Sequence, residues 1–146
     1  MKIEIRPLAK EDLDRICELE EAAFSMPWKK KDFEELIESE NSQYLVILAD
    51  GCVAGTAGYT DTLGDAYINN VVIDESKRRA GLGKKLLEAL IEEGLSKGIK
   101  NYTLEVRTGN TAAVRLYESL GFECAGVRKR FYEHPVEDAF VYWLRK

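Results

Sequence analysis

Period two and period 3.6 trade places along this chain, and each exchange marks an element. Residues 2–7 alternate weakly, as an edge strand does. Over residues 11–24, Leu13, Ile16, Leu19, Ala23 and Phe24 recur near helical spacing. Ser25-Met26-Pro27-Trp28 breaks that helix, because proline disfavours a helical conformation in the residue before it. A second short helix follows, with Phe33, Leu36 and Ile37 on one face. Residues 43–49 read as a strand of Tyr, Val, Ile and Leu, and Asp50-Gly51 is a hairpin signal. Residues 52–60 return as its partner, and a turn at Gly64-Asp65 leads into a strand over 66–73.

Helical spacing then resumes in Leu82, Leu86, Leu87, Leu90, Ile91 and Leu95, and Gly98 ends that helix. Residues 101–107 predict a strand with Leu104 and Val106 on one face and Thr103, Glu105 and Arg107 on the other. A helix over about 111–119 carries Ala113, Leu116 and Tyr117 and stops at Gly121. Two strands, about 122–131 and 137–144, close the chain. The order is β-α-α-β-β-β-α-β-α-β-β. The strand–helix–strand unit over 66–107 demands parallel strands and a right-handed crossover, whereas the hairpins are antiparallel. The expected fold is an α/β (α+β) domain with a mixed sheet and helices on its faces. No repeat or linker interrupts residues 1–146, which predicts a single domain.

Composition narrows the function classes. Of 146 residues, 45% are hydrophobic and 32% charged, an ordinary globular mixture. No apolar run approaches the ~18 residues of a membrane span, and Met1-Lys2-Ile3-Glu4 opens no signal peptide, so the expected compartment is the cytoplasm, with no membrane partner. A net charge of −5 argues against binding nucleic acid through phosphate neutralisation. The charge is uneven. Glu11, Asp12, Asp14, Glu18, Glu20 and Glu21 lie early, and Lys77, Arg78, Arg79, Lys84 and Lys85 cluster in the middle. These are solvated helix faces, or else an acidic entrance for a cation and a basic cradle for an anion. Cys17, Cys52 and Cys124 are far apart and odd in number, and His134 is the one histidine. That excludes a disulfide framework and a zinc site, so no metal is expected, and the cysteines read as small buried apolar residues.

Arg78-Arg79-Ala80-Gly81-Leu82-Gly83 sits between a strand and an amphipathic helix. It lacks the spacing of a Walker loop, and Leu86 stands where a dinucleotide fingerprint needs its third glycine. Its place still suits an anion, because the first N–H groups of a helix have no internal partner and glycines permit close approach. The plain alternative is a glycine turn ringed by solvated lysines.

Asn70-Val71-Val72-Ile73-Asp74 followed by Arg78-x-x-Gly81-x-Gly83 resembles the acyl-CoA motif of the GNAT acetyltransferase superfamily. Leu104-Glu105-Val106-Arg107, Asn110, Leu116-Tyr117-Glu118 and Gly121-Phe122 are similar to its downstream half. Phe24-Ser25-Met26-Pro27-Trp28, Arg128, Phe131-Tyr132 and Glu137-Asp138-Ala139 extend the resemblance to the RimI-type N-alanine acetyltransferases of a ribosomal protein. Val72 and Glu75 depart from the usual alanine and proline of the family.

The resemblance implies a mostly antiparallel sheet whose central parallel strands splay, with acetyl-CoA as co-substrate in the opening. It assigns cofactor binding to Val71, Val72, Ile73, Arg78, Arg79, Ala80, Gly81, Leu82, Gly83, Lys84, Asn110 and Tyr117. It makes Glu105 the base that deprotonates the amine and Tyr117 the acid for the thiolate. It places the acceptor, a protein N-terminus of ribosomal type, at Trp28, Asn70, Tyr132, Glu137 and Asp138. Each residue also has an ordinary use. Asn110 suits a helix cap, Glu105 a pair with Arg107 or Arg78, Tyr117 a core site, and Trp28 and Tyr132 rim packing. A polyamine or amino-sugar acetyltransferase, or a non-catalytic acyl-CoA-binding module, are the alternatives.

Overall fold

Tight turns build the first half of the sheet. A computed structural model describes residues 1–78 and 80–146. Strand β1 (Ile3–Pro7) is followed by a 3-10 turn and by helices α1 (Leu13–Ala23) and α2 (Lys30–Glu38). Then come β2 (Ser42–Ala49), β3 (Cys52–Thr62) and β4 (Asp65–Ile73). The hairpin turns carry Asp50 and Gly51, then Leu63 and Gly64, all at positive φ, the backbone that two-residue turns between twisted strands require. Helix α3 (Leu82–Ser96), β5 (Asn101–Arg107), α4 (Thr111–Ser119), β6 (Glu123–Tyr132) and β7 (Glu137–Arg145) complete the chain. Among the described residues the sheet has seven strands in the order β1-β2-β3-β4-β5-β7-β6. The β4–β5 pair is parallel and its neighbours are antiparallel. The element order agrees with the pattern of the sequence, apart from two short 3-10 turns at Lys10–Asp12 and Glu75–Lys77.

Helices cover both faces but not the whole of each. Leu45, Ile47 and Ala49 of β2 join a core under α3 and α4, with Leu82, Leu86, Leu90 and Tyr117. Tyr44, Val46 and Leu48 join a second core under α1 and α2, with Leu13, Ile16, Leu19 and Phe33. Burial on both faces explains the unbroken apolar run of β2. Strand β5 differs: Tyr102, Leu104 and Val106 are buried, while Thr103, Glu105 and Arg107 on the other face are half-exposed. Helices α1 and α2 lie over β2, β3 and β4 and stop short of it.

Two expectations fail. Leu95 is 39% exposed, because Gly94 takes the inward position, held close to the Tyr102 ring that fills the space. The cysteines are not buried: Cys52 follows the Asp50-Gly51 turn, Cys124 lies on the exposed edge strand β6, and Cys17 is half-buried.

One irregularity organises the centre. Gly58 of β3 pairs with Asn70, but Tyr59 pairs with Ile68, so Asn69 is an inserted residue, a β-bulge. A single insertion reverses the faces of everything beyond it. Ala66 and Ile68 accordingly face the α3 side, whereas Val72 faces α1 and α2. Pairing of β4 with β5 covers Asp65↔Asn101, Ala66↔Tyr102 and Tyr67↔Thr103 and ends there, although β4 runs to Ile73 and β5 to Arg107. The strands part past that point, as the resemblance implied. Opposite the bulge, a Cβ added to Gly58 would overlap the Tyr44 ring. Gly58→Ala is therefore expected to destabilise the fold by about 1–3 kcal/mol through overpacking, read as a lower urea midpoint at unchanged slope; an unchanged midpoint would refute this account of the glycine.

Candidate active site

The parted strands leave the β5-facing edge of β4 beyond Tyr67 without a strand partner. Val71, Val72 and Ile73 lie on that stretch. The chain then makes a turn capped by Asp74, whose carboxylate accepts from the Ser76 amide at 3.0 Å. Helix α3 opens at Leu82, with Gly81 at φ 74 as its N-cap. That left-handed backbone suits glycine, and nothing lies within 4 Å of the side chain it lacks. A Cβ on Gly83 would stand 3.2 Å from Leu116, so this glycine lets α3 sit close against α4. Arg78, Ala80 and Lys84 are exposed around the turn, and Leu82 is buried as the anchor of the helix. Arg79 lies outside the described residues. The first amides of α3, with Arg78 and Lys84 beside them, form a seat suited to a diphosphate. Asn110 caps α4, its Oδ1 accepting from the Ala113 amide at 3.2 Å.

Glu105 and Tyr117 lie on opposite sides of the parted sheet. Glu105 is on the face left uncovered by α1 and α2, with its side chain 10% exposed. Its partners are not Arg107 or Arg78. The Tyr67 hydroxyl donates to Oε1 at 2.5 Å, and Arg128 Nε lies 3.3 Å from Oε2. Arg107 instead pairs with Glu137 at 3.2 Å. Tyr117 belongs to the α3–α4 core, its ring 5.8 Å from Phe122. Burial pushes its hydroxyl well above the ordinary tyrosine value, so it holds its proton at neutral pH and can only donate or relay. Burial raises Tyr67 as well, and the hydrogen bond to Glu105 adds to that shift. Tyr132 is pushed up to about 12, chiefly by burial and then by the charge of Glu105.

A cavity of about 390 Å³ opens on the Glu105 face, lined by Tyr67, Thr103, Glu105, Arg128, Phe131 and Trp143. Tyr132 lies beside it, with the Arg107 guanidinium 4.4 Å from its ring centre. Trp28 packs instead against the α1–α2 core, on Phe33 at 5.4 Å and Tyr44 at 6.3 Å, and does not line this cavity. The structure thus brings Tyr132 beside Glu105 but not Trp28. Three other residues have inward uses. Asn70 is buried and donates to Glu20 at 3.1 Å. Asp138 accepts from the Arg130 amide at 2.9 Å, and Glu137 accepts from the Gly109 amide at 2.6 Å. The early acidic residues are also matched locally: Asp14 with Lys30, Glu18 with Arg15, Glu38 with Lys10. Among the described residues, no cluster of three or more His, Cys, Asp or Glu is placed to hold a metal, and no helix is long and apolar enough to cross a membrane.

Tyr67, Arg128 and Glu20 were assigned no role from the sequence. Arg128 carried a signal as part of the resemblance, but its pairing with Glu105 depends on strand register. Tyr67 carried the alternation of β4, which places it on the face of Glu105.

The parted strands and the glycine turn between them define an acetyltransferase-type domain. The chain belongs to the acetyltransferase (GNAT) family, whose model matches residues 13–122. It is 37% identical over 138 residues to the ribosomal protein bS18-alanine N-acetyltransferase of Salmonella typhimurium, covering 92% of this chain and 91% of that one. It is 32% identical over 146 residues to the N-alpha-acetyltransferase RimI of Mycobacterium tuberculosis, covering 95% and 90%. The crystal structure of the ribosomal-protein-S18-alanine N-acetyltransferase of Escherichia coli superposes with a TM-score of 0.90 at 34% identity, covering 99% of this chain and 94% of that one.

Glu137 offers a test of how the β5–α4 loop is held. Its carboxyl lies below the ordinary 4.5, first because the Gly109 amide donates to it and then because Arg107 pairs with it. A depressed carboxyl lends order above its unfolded value and withdraws it as pH falls through its folded value. The Gly109 amide resonance should therefore shift in acid with a midpoint below 4.5, and Glu137→Ala should abolish that titration. A Gly109 resonance that ignores pH in the parent protein would refute the contact.

Proposed function

We propose that this chain, as one domain over residues 1–146, transfers the acetyl group of acetyl-CoA to the α-amine of a protein N-terminus, that of the N-terminal alanine of a ribosomal protein, in the cytoplasm. The observation that carries the reading is the placement of Glu105 and Tyr117 on opposite faces of a gap where two parallel strands separate. The names of the Salmonella, Mycobacterium and Escherichia relatives support the acceptor.

Acetyl-CoA supplies an acyl carbon activated by a thiol leaving group. The residues around α3 fit its diphosphate, since they offer unpaired amides, a glycine at positive φ and exposed Arg78 and Lys84. Val71 to Ile73 offer free backbone groups to the amide-bearing arm, and Asn110 stands at the start of α4 beside it. The remaining chemistry is proton movement. An N-terminal amine has a pKa of roughly 7.7–8.0 and is mostly ammonium near neutrality. Glu105 takes that proton, directly or through water, from the side of the open cavity. The amine nitrogen then bonds to the acyl carbon as the carbon–sulfur bond breaks, and the nitrogen loses a second proton, which through water replaces the one Tyr117 gives up, while Glu105 releases the first to solvent. Tyr117 gives its proton to the departing sulfur from the α4 side. No covalent enzyme species is needed, and positioning carries much of the rate.

The cavity is wide and ringed by Tyr67, Phe131, Trp143 and Arg128, which suits an extended peptide better than a compact polyamine. On this reading Trp28 and Tyr132 meet the acceptor, while Asn70 acts through the Glu20 side chain it bonds and Glu137 and Asp138 through the backbone amides they hold.

Purified protein with acetyl-CoA and a panel of N-terminal peptides should place acetate on the α-nitrogen of alanine-initiated peptides, read by mass spectrometry. Glu105→Gln and Tyr117→Phe should each lower kcat by about 10²–10⁴-fold, the usual range for a positioned acid or base. Modification of small amines alone would overturn the acceptor, and unchanged rates in both variants would overturn the catalytic assignment. Binding of acetyl-CoA by calorimetry without turnover on any amine would make the chain a binding module instead.

A further inference from the structure

Glu20 has no role in the chemistry above, yet it is 1% exposed, near the C-terminal end of α1. Its Oε1 accepts two hydrogen bonds, from the Trp28 amide at 3.1 Å and from Asn70 Nδ2 at 3.1 Å. Two oxygens of this group are left over. Glu20 Oε2 and Asn70 Oδ1 are both buried and both without a partner. Both are acceptors if the carboxyl is ionised, and leaving them bare would cost about 1–3 kcal/mol each or more. They belong to two groups already in contact through Nδ2 and Oε1, so one shared hydrogen answers both. A proton on Oε2, donated to Oδ1, would close the carboxyl and the carboxamide into a two-point pair and give each of their oxygens a partner.

We propose that Glu20 stands in the protein as a neutral carboxylic acid doubly hydrogen-bonded to Asn70, and that this pair is a positioning device fixing the Trp28 segment against β4 where it leaves β5. The inference deepens the acetyltransferase reading, and rests on it only for the part that concerns the acceptor. The geometry links two places that the site needs in fixed relation. Trp28 N–H belongs to the chain reversal between α1 and α2, the segment to which the proposed function assigns acceptor contact. Asn70 follows the bulge, on the strand whose free edge opens the gap.

The surroundings support a neutral group. Burial raises the Glu20 carboxyl above the ordinary 4.5, and the Trp28 and Asn70 donors only oppose it. Among the described residues, no lysine or arginine of α2, β3 or β4 offsets its charge. The titratable groups that an ionised Glu20 would push further toward their neutral forms are Cys17, one turn earlier on α1, and Tyr44 of β2, so neither offers it a counter-charge. Cys17 also faces Asp14, Glu21 and Lys30, of which Lys30 is already paired with Asp14. Tyr44 donates to Asn69, the neighbour of Asn70 in the bulge, so the second amide is engaged as well.

The test compares Glu20→Gln with Glu20→Ala. Glutamine keeps an acceptor for Trp28 and Asn70 Nδ2 and supplies a permanent donor to Asn70 Oδ1. Below pH 4.5 it should match the parent in melting temperature, and at neutral pH in acceptor kcat/KM. A raised carboxyl loses stability as pH climbs from its unfolded value through its folded value, so above that window the parent should melt below Glu20→Gln. Glu20→Ala should lower acceptor kcat/KM by up to about 10²-fold through misplacement, with the KM for acetyl-CoA unchanged. A Glu20→Gln variant that melts lower or acylates peptides more slowly than the parent at neutral pH would overturn the neutral acid, as would a Glu20 carboxyl carbon resonance titrating at or below 4.5. An equal rise in KM for both substrates in Glu20→Ala would overturn the positioning role. The melting and resonance readouts need no turnover, so loss of the acetyltransferase reading, seen as no heat with acetyl-CoA, is a separate result.

Discussion

Strand pairing across β4 and β5 lasts for three residue pairs and then stops, because the Asn69 insertion turns β4 over. A sheet normally satisfies its backbone by pairing both edges of an interior strand. Here the interior strand keeps its β3 partner and loses β5, so N–H and C=O groups remain on offer in the middle of the fold. A ligand with amides of its own can lie there as a substitute strand. The same insertion sends Val72 into the α1–α2 core while Ile68 stays under α3. Hydrophobic burial on both faces thus fixes the two segments of β4 on either side of the insertion.

Coverage of the sheet sets what each side of the gap can do. The α3–α4 side is filled by apolar packing and carries the α3 N-terminus, where helix-start amides and basic side chains favour an anion. The opposite side is uncovered at β5 and β7, leaving Glu105 at the floor of a wide cavity with aromatic walls. Anion and amine thus have separate approaches, and neither must cross the region suited to the other.

The pattern of the chain made most of this legible. Alternation and helical spacing located each strand and helix, and the 66–107 unit required the parallel pair. Glu105 was placed on the correct face by strand alternation alone, opposite Leu104 and Val106. What alternation could not reach was register. Asn69 and Asn70 look alike in sequence, and only the pairing with Gly58 and Tyr59 shows that one is an insertion. The partners of Glu105 were missed for the same reason, since Tyr67 and Arg128 reach it across strands. Glu20 was hidden differently. It sits among Glu18 and Glu21 in an acidic run that reads as one solvated face, yet helical geometry turns it inward while its neighbours stay exposed.

Proton flow gives the two-sided arrangement its chemical sense. On the proposed reading, the amine arrives as a cation and must lose its charge before it can attack, while the thiolate leaves as an anion and must gain a proton. One group serving both needs would have to reach across the acyl carbon during the reaction. On that reading Glu105 and Tyr117 divide the work by environment. The Glu105 carboxylate accepts from Tyr67 and lies against Arg128 on the cavity side. The phenol is buried among apolar side chains, where its neutral form is strongly favoured. On that reading the base works from the open cavity and the acid from the packed side, where burial keeps the phenol neutral, and a single-faced pocket would have to create that difference between near neighbours.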